Sequence, residues 1–216
     1  MKPKMKKHAL VICNGEMPPK KFLTPLLKDK PFIICADGGA NKARVLGITP
    51  HCIIGDLDSI TQTTRKYFSS VPIIHLKDQY STDLEKALNY LVANGFSSAI
   101  VVGAMGERPD HTLSNFSILL KYHSKIALKF LDERCTVEVI QKKIRFYVKI
   151  GQQISLVPIG KCSGITTGGL KYPLKNETLA LGVREGSSNE AIKSIVSLTV
   201  KNGSLLLFKI HPEYTA

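Results

Sequence analysis

Gly55-Asp56-Leu57-Asp58-Ser59 places two carboxylates one residue apart, directly after the apolar run Cys52-Ile53-Ile54. Carboxylates held that close repel and raise a pKa unless a cation or hydrogen-bond donors compensate them, and Mg²⁺ takes oxygen ligands of this kind beside substrate phosphates. Gly, Asp and Ser also favour surface turns, so the stretch alone reads as a turn or a metal site. Three further polar clusters follow apolar runs in the same way. Asp37-Gly38-Gly39-Ala40-Asn41 comes after residues 32–36, and Lys77-Asp78 after residues 73–76. Gly103-Ala104-Met105-Gly106-Glu107-Arg108-Pro109-Asp110-His111 comes after residues 99–102.

Each cluster has a part in handling phosphate. Gly38 and Gly39 allow close backbone approach and lead into a helix N-terminus, where N–H groups favour anions. Asp56 and Asp58 would hold a metal. Thr82 and Asp83 open a helix, where a carboxylate is favoured by the dipole whether or not it binds anything. Arg108 can fork onto phosphate oxygens, with Asp110 orienting it or capping a helix, and His111 stands beside them. No phosphate-loop motif, dinucleotide fingerprint or Gly-x-Ser-x-Gly elbow is present, which leaves a metal-dependent enzyme acting on a phosphate ester or anhydride.

The elements that must position these clusters alternate in the first half. Strands are expected at residues 8–13, 32–36, 52–54, 73–76, 99–102 and 128–131. Helices are expected at 40–46, at 83–93 and from about Thr112, the last burying Leu113, Phe116, Leu119 and Leu120. Thr82 followed by Glu85 matches a capping box for the second. Alternation of this kind gives an α/β domain with a mainly parallel sheet, in which ligands bind at the carboxyl ends of strands. The four clusters therefore converge on one sheet edge.

From about Cys135 short strands follow one another without helices, at 137–140, 144–150, 154–159, 178–183, 195–200 and 205–210. Asn202-Gly203 between the last two is a hairpin signal. This half is expected to be an all-β sandwich or barrel-like domain, giving domains at 1–132 and 133–216.

The 216 residues carry 30 Lys and Arg against 17 Asp and Glu, a formal net charge of +13. That excess fits a phosphate-rich small substrate, or nucleic acid, or solvated surface. No nucleic-acid-binding module or stacking aromatic cluster appears, so neither a nucleic acid nor a membrane is expected as partner. The start, Met1-Lys2-Pro3-Lys4-Met5-Lys6-Lys7, is followed by only a short apolar run, and the chain reads as cytoplasmic. Five scattered cysteines read as buried free thiols.

In their order these motifs resemble the thiamine pyrophosphokinase family. The resemblance rests on the four clusters with Thr82-Asp83 and Asn115, then on Gly169-Leu170-Lys171-Tyr172-Pro173-Leu174 and Ser188-Asn189. It implies transfer of a pyrophosphoryl group from ATP to the thiamine hydroxyl, giving thiamine diphosphate and AMP. It also implies an α/β N-terminal domain for ATP and Mg²⁺, a β-rich domain for thiamine and dimerisation, and a homodimer with the active site between subunits. Carried over, Asp37, Gly38, Gly39, Asn41, Lys77, Asp78, Thr82, Arg108, Asp110 and His111 stand on the nucleotide side. Asp56, Asp58 and Asp83 are the expected metal ligands and, with Arg108, the catalytic groups. Thr167, Leu170, Ser187, Ser188 and Asn189 stand on the thiamine side, with Glu190 a further polar neighbour. Gly106-Glu107 departs from a glycine pair found in many members before the arginine, and the chain has no Trp to stack on thiamine. The residues by themselves leave two rivals open: another metal-dependent diphosphotransferase or nucleotide hydrolase, and a basic nucleic-acid-binding protein.

Overall fold

The structure, a computed structural model, describes residues 7–215; of the basic N-terminal run only Lys7 falls within them. The chain divides into two compact units, Met1–Glu133 and Arg134–Ala216.

In the first unit apolar runs become strands and the segments between them become helices: β1 (Lys7–Ile12), α1 (Lys20–Lys28), β2 (Phe32–Ala36), α2 (Gly39–Leu46), β3 (Cys52–Gly55), α3 (Gln62–Tyr67), β4 (Ile73–His75), α4 (Asp83–Ala93), β5 (Phe96–Val102), α5 (Pro109–Tyr122) and β6 (Ala127–Leu131). All adjacent strands here pair in parallel, in the order β4-β3-β2-β1-β5-β6. Three strands, β2 to β4, thus lie to one side of β1, and β5 and β6 lie to the other. A reversal of this kind opens a crevice outside the carboxyl ends of the two strands that flank it, here β1 and β5.

Burial on both faces explains the unbroken apolar runs: Leu10, Ile12, Ile34, Ile53 and Ile54 are all nearly inaccessible. Each such side chain contributes about 1.5–3 kcal/mol relative to an exposed one. Helix α4 is set by a full capping box between Thr82 and Glu85, and it buries Leu84, Ala87, Leu88 and Leu91. Helix α5 differs from expectation. It starts at Pro109 and buries Ile118, Leu119 and Tyr122, whereas Leu113 is 70% exposed. Helix α1 carries Pro25 in its interior, which masks its pattern, and α3 is only six residues long with Thr61 as its cap.

The second unit is antiparallel throughout: β7 (Cys135–Ile140), β8 (Ile144–Tyr147), β9 (Gln153–Gly168), β10 (Glu177–Ala180), β11 (Gly186–Glu190), β12 (Ile195–Thr199) and β13 (Asn202–Ile210), closed by a 3-10 turn at Pro212–Tyr214. Its spine is β9, a 16-residue strand. The first part of β9 pairs with β11 and β13, and its last part with β10 and β12. A strand that serves two sets of partners turns a corner between sheets, as sandwich and barrel-like folds require. The Asn202-Gly203 hairpin does not form. Both residues lie inside β13, which pairs with β7 and β9, while β12 pairs with β8 and β9. The long central strand offers both neighbours a better partner than each other. All five cysteines are buried free thiols, and no helix among the described residues is long and apolar enough to cross a membrane.

Candidate active site

Loops leaving β1, β2, β3 and β5, with the start of α4, enclose a cavity of about 650 Å³ in the first unit, at the crevice the strand order creates. Two glycines permit the close approach. A Cβ on Gly39 would sit 2.0 Å from the Ile12 carbonyl oxygen, and one on Gly55 2.8 Å from Asp37 Cβ and 2.9 Å from Asp83 Oδ1. Larger residues there would push the first turn of α2 and the end of β3 out of place.

Asp37, at the end of β2, is 2% exposed. Its backbone N–H donates to the Ile54 carbonyl at 2.8 Å, which fixes it against β3. Oδ2 accepts from the Ser59 N–H at 2.9 Å, whereas Oδ1 is buried with no partner. Burial pushes the Asp37 carboxyl up, the Ser59 bond opposes that, and the nearby Asp83 charge adds to it. Such a group asks for a cation. Oxygens of Asp37, Asp56 and Asp58 lie within 4.8 Å of one another, the set of three carboxylates that could share one ion. Three hard oxygen donors gathered in this way, one of them on a carboxylate with an orphaned oxygen, fit Mg²⁺ or Mn²⁺.

The loop carrying Asp56 and Asp58 is braced from several sides. Asn41 donates to the Ser59 carbonyl at 2.9 Å and accepts from the Thr61 N–H at 3.1 Å, and Arg65 donates to the Leu57 carbonyl at 2.6 Å. Asp37 (φ 38°), Leu57 (φ 67°) and Glu107 (φ 39°) all hold left-handed backbone that non-glycine residues rarely adopt. Strain of about 1–3 kcal/mol at each is gathered around this site, a concentration found where geometry serves function.

Among the expected residues, Asp37, Gly38, Asp56, Thr82, Asp83, Arg108 and His111 line the cavity. Gly39 lies under it, and Asn41 supports the Asp loop from behind. Asp83 adjoins Gly55 and is engaged by Lys86 at 2.9 Å; the three carboxylates close enough to share an ion are Asp37, Asp56 and Asp58. Lys77 is exposed and does not line the cavity, while Asp78 accepts from the Tyr80 N–H at 2.9 Å and the Ser81 hydroxyl and so shapes the loop before α4. Arg108 grips Asp110 in a two-pronged, exposed pair that pulls the Asp110 carboxyl down to about 2. Across the opening, Lys42 reaches Glu107 at 3.3 Å.

Sequence reasoning passed over Lys86, Gln79 and Asn14, all of which line the cavity. Gln79 lies in the loop before α4 and donates to Asp56 at 3.4 Å. Lys86 was legible as a partner of Asp83, since it lies one turn beyond it on the same side of α4.

In the second unit Thr167 and Asn189 are buried and their polar atoms are committed. Thr167 Oγ1 accepts from the Leu174 N–H at 2.8 Å. Asn189 accepts from the N–H groups of Tyr172 and Glu190 at 3.1 and 2.9 Å and donates to the Tyr172 carbonyl at 2.7 Å. Together they pin the 169–174 loop, where Leu170 is 2% exposed. Ser187 and Ser188 are exposed, and Ser188 has φ 55°.

Residues 23–130 match the family model described as thiamin pyrophosphokinase, catalytic domain, and residues 139–205 the one described as thiamin pyrophosphokinase, vitamin B1 binding domain. Thiamine pyrophosphokinase 2 of Arabidopsis thaliana is 32% identical, over 94% of this chain and 86% of that protein. Thiamine pyrophosphokinase of Bacillus subtilis is 29% identical, over 87% of this chain and 91% of that protein. The same fold is seen in the crystal structure of the B. subtilis thiamine pyrophosphokinase (TM-score 0.85, 24% identity, 95% of this chain and 100% of that chain). It recurs in yeast thiamin pyrophosphokinase (TM-score 0.82, 21% identity, 97% and 88%). With both family models matched in order and full-length relatives on either side of the plant–bacterial divide, the chain belongs to the thiamin pyrophosphokinase family.

Proposed function

We propose that the cavity of the first unit holds ATP with a divalent cation, and that its residues direct transfer of the pyrophosphoryl group to the hydroxyl of thiamine, releasing AMP. The observation that carries this reading is the buried, partnerless Asp37 Oδ1 in the Asp37–Asp56–Asp58 trio, which follows β2 and β3 and of which Asp37 and Asp56 line the cavity. Asp37, Asp56 and Asp58 would hold the cation, with Asp83 beside them. When bound, the cation would supply charge neutralisation on the phosphates, the main demand of phosphoryl chemistry.

The chain's own groups do the rest. Gly38 and Gly39 let backbone approach the phosphates. Arg108 presents a fork of donors to phosphate oxygens at the rim, held in register by Asp110. Asn41 and Arg65 hold the Asp loop so that the carboxylates do not reorganise during reaction. In the second unit Ser187 and Ser188 offer free hydroxyl faces to thiamine, while Thr167, Leu170 and Asn189 hold the loop that shapes the pocket. A homodimer belongs to the same reading, supported by exposed Tyr147, Ile150, Leu181, Val183 and Ile192 on the second unit. The free thiols fit a reducing cytoplasm.

Incubation with ATP, Mg²⁺ and thiamine should yield AMP and thiamine diphosphate in equal amounts. ADP with thiamine monophosphate, or nucleotide turnover indifferent to thiamine, would overturn the reading.

A further inference from the structure

Lys86 is a charged side chain almost removed from water: 3% of it is exposed, on the side of α4 that carries Asp83 and not on the apolar stripe of Leu84, Ala87 and Leu88. A buried ammonium is costly unless paired, and an apolar residue would fill that face without the cost. Its Nζ lies 2.9 Å from Asp83 Oδ1 and 3.9 Å from Asp56 Oδ2, and it lines the cavity. An ammonium has three donors, and the Asp83 bond uses one. The second contact is an ion pair at a distance too long for a hydrogen bond. Donor capacity therefore remains on a fixed positive charge at the wall of the cavity, beside the carboxylates of Asp56 and Asp83.

We propose that Lys86 sets what the carboxylate cluster accepts: its charge disfavours a free divalent cation and favours the metal–triphosphate complex, toward which it presents its remaining donors. A cation entering alone meets Lys86 as a like charge beside Asp56 and Asp83. The same cation arriving on a triphosphate brings anionic oxygens that the ammonium attracts. This rests on the reading of the cavity as a metal–nucleotide site, and it adds the discrimination between bare ion and complex.

The test measures binding by calorimetry with no thiamine present, titrating MnCl₂ alone and then ATP with excess Mg²⁺, for wild type, Lys86→Met and Lys86→Arg. Loss of the charge in Lys86→Met should tighten Mn²⁺ about threefold and weaken Mg·ATP about tenfold, changes of opposite sign. Lys86→Arg keeps the charge and should keep the wild-type order of preference. Damage to the fold would weaken both ligands, so parallel weakening in Lys86→Met, or no change in either, overturns the proposal. Should Lys86→Met fail to fold, Lys86→Gln is read by the same two titrations. A wild-type protein that binds no Mg·ATP would instead defeat the cavity reading itself.

Discussion

Asp37, directly after β2, and Asn189, within β11, are both buried polar side chains, 2% and 7% exposed, yet they stand in opposite electrostatic situations. Every polar atom of Asn189 is bonded within its own unit, to Tyr172 and Glu190. Asp37 has one oxygen bonded and one left without a partner, in backbone that is itself strained. A satisfied buried amide stabilises a loop; an unsatisfied buried carboxylate destabilises the empty protein and stores affinity for a cation. Residue type and burial do not separate architecture from chemistry here. The state of the hydrogen-bond inventory does.

That contrast can be attacked directly. The largest effect is expected for Asp56→Asn, which should lower turnover on the order of a thousandfold while circular dichroism and Tm stay near wild type, since a site residue is not a fold residue. A large fall in Tm would place Asp56 with Asn189 instead. Next, Asn189→Ala leaves three backbone groups of the 169–174 loop region unpaired and should cost about 3 kcal/mol in the second unit by denaturant titration. Binding of Mg·ATP to the first unit should survive that change. Smaller again is the response to Mg²⁺: at ten times its Kd the ion should stabilise the first unit by about 1.4 kcal/mol. Asp37→Asn should melt above metal-free wild type and lose that response, because it removes the buried charge the ion compensates. The least effect belongs to the exposed pair at the rim, where Lys42→Ala should change stability by less than about 0.5 kcal/mol.

The parallel sheet was legible because burial on both faces forces unbroken apolar runs, and α4 because Thr82 and Glu85 announce its start. The convergence of four loops followed from the sheet type alone. Other features lacked a local signal. Pro25 disguised α1, and α3 is too short to show a period. Strand β11 is Gly186-Ser187-Ser188-Asn189-Glu190, with no apolar residue to mark it, and is held by pairing with β9. Asn202-Gly203 misled because a hairpin signal is local, while the preference of β12 and β13 for β9 is not. Lys86 was overlooked because a lysine on an amphipathic helix ordinarily faces solvent; one of its partners, Asp83, is on the same helix, but the other, Asp56, comes from another strand's loop. Asp37 was assigned to the nucleotide and Asp83 to the metal; that an Asp37 oxygen lies within 4.8 Å of those of Asp56 and Asp58 follows from side-chain direction, which spacing does not encode.

The strand order also has a consequence for how the protein comes into being. Ala9 pairs with Phe32 on one side of β1 and with Ala99 on the other. The cavity lies over that second junction, so its walls come from segments about ninety residues apart, and no shorter stretch of chain can preform it. Closing so large a loop is slow relative to the local helix and strand contacts. During synthesis the three carboxylates are therefore translated, and placed on β2 and β3, well before the glycine-rich loop after β5 exists to complete the enclosure. A ligand of that cavity can be enclosed only after that strand has docked, which makes it a selector of finished molecules rather than a guide to unfinished ones.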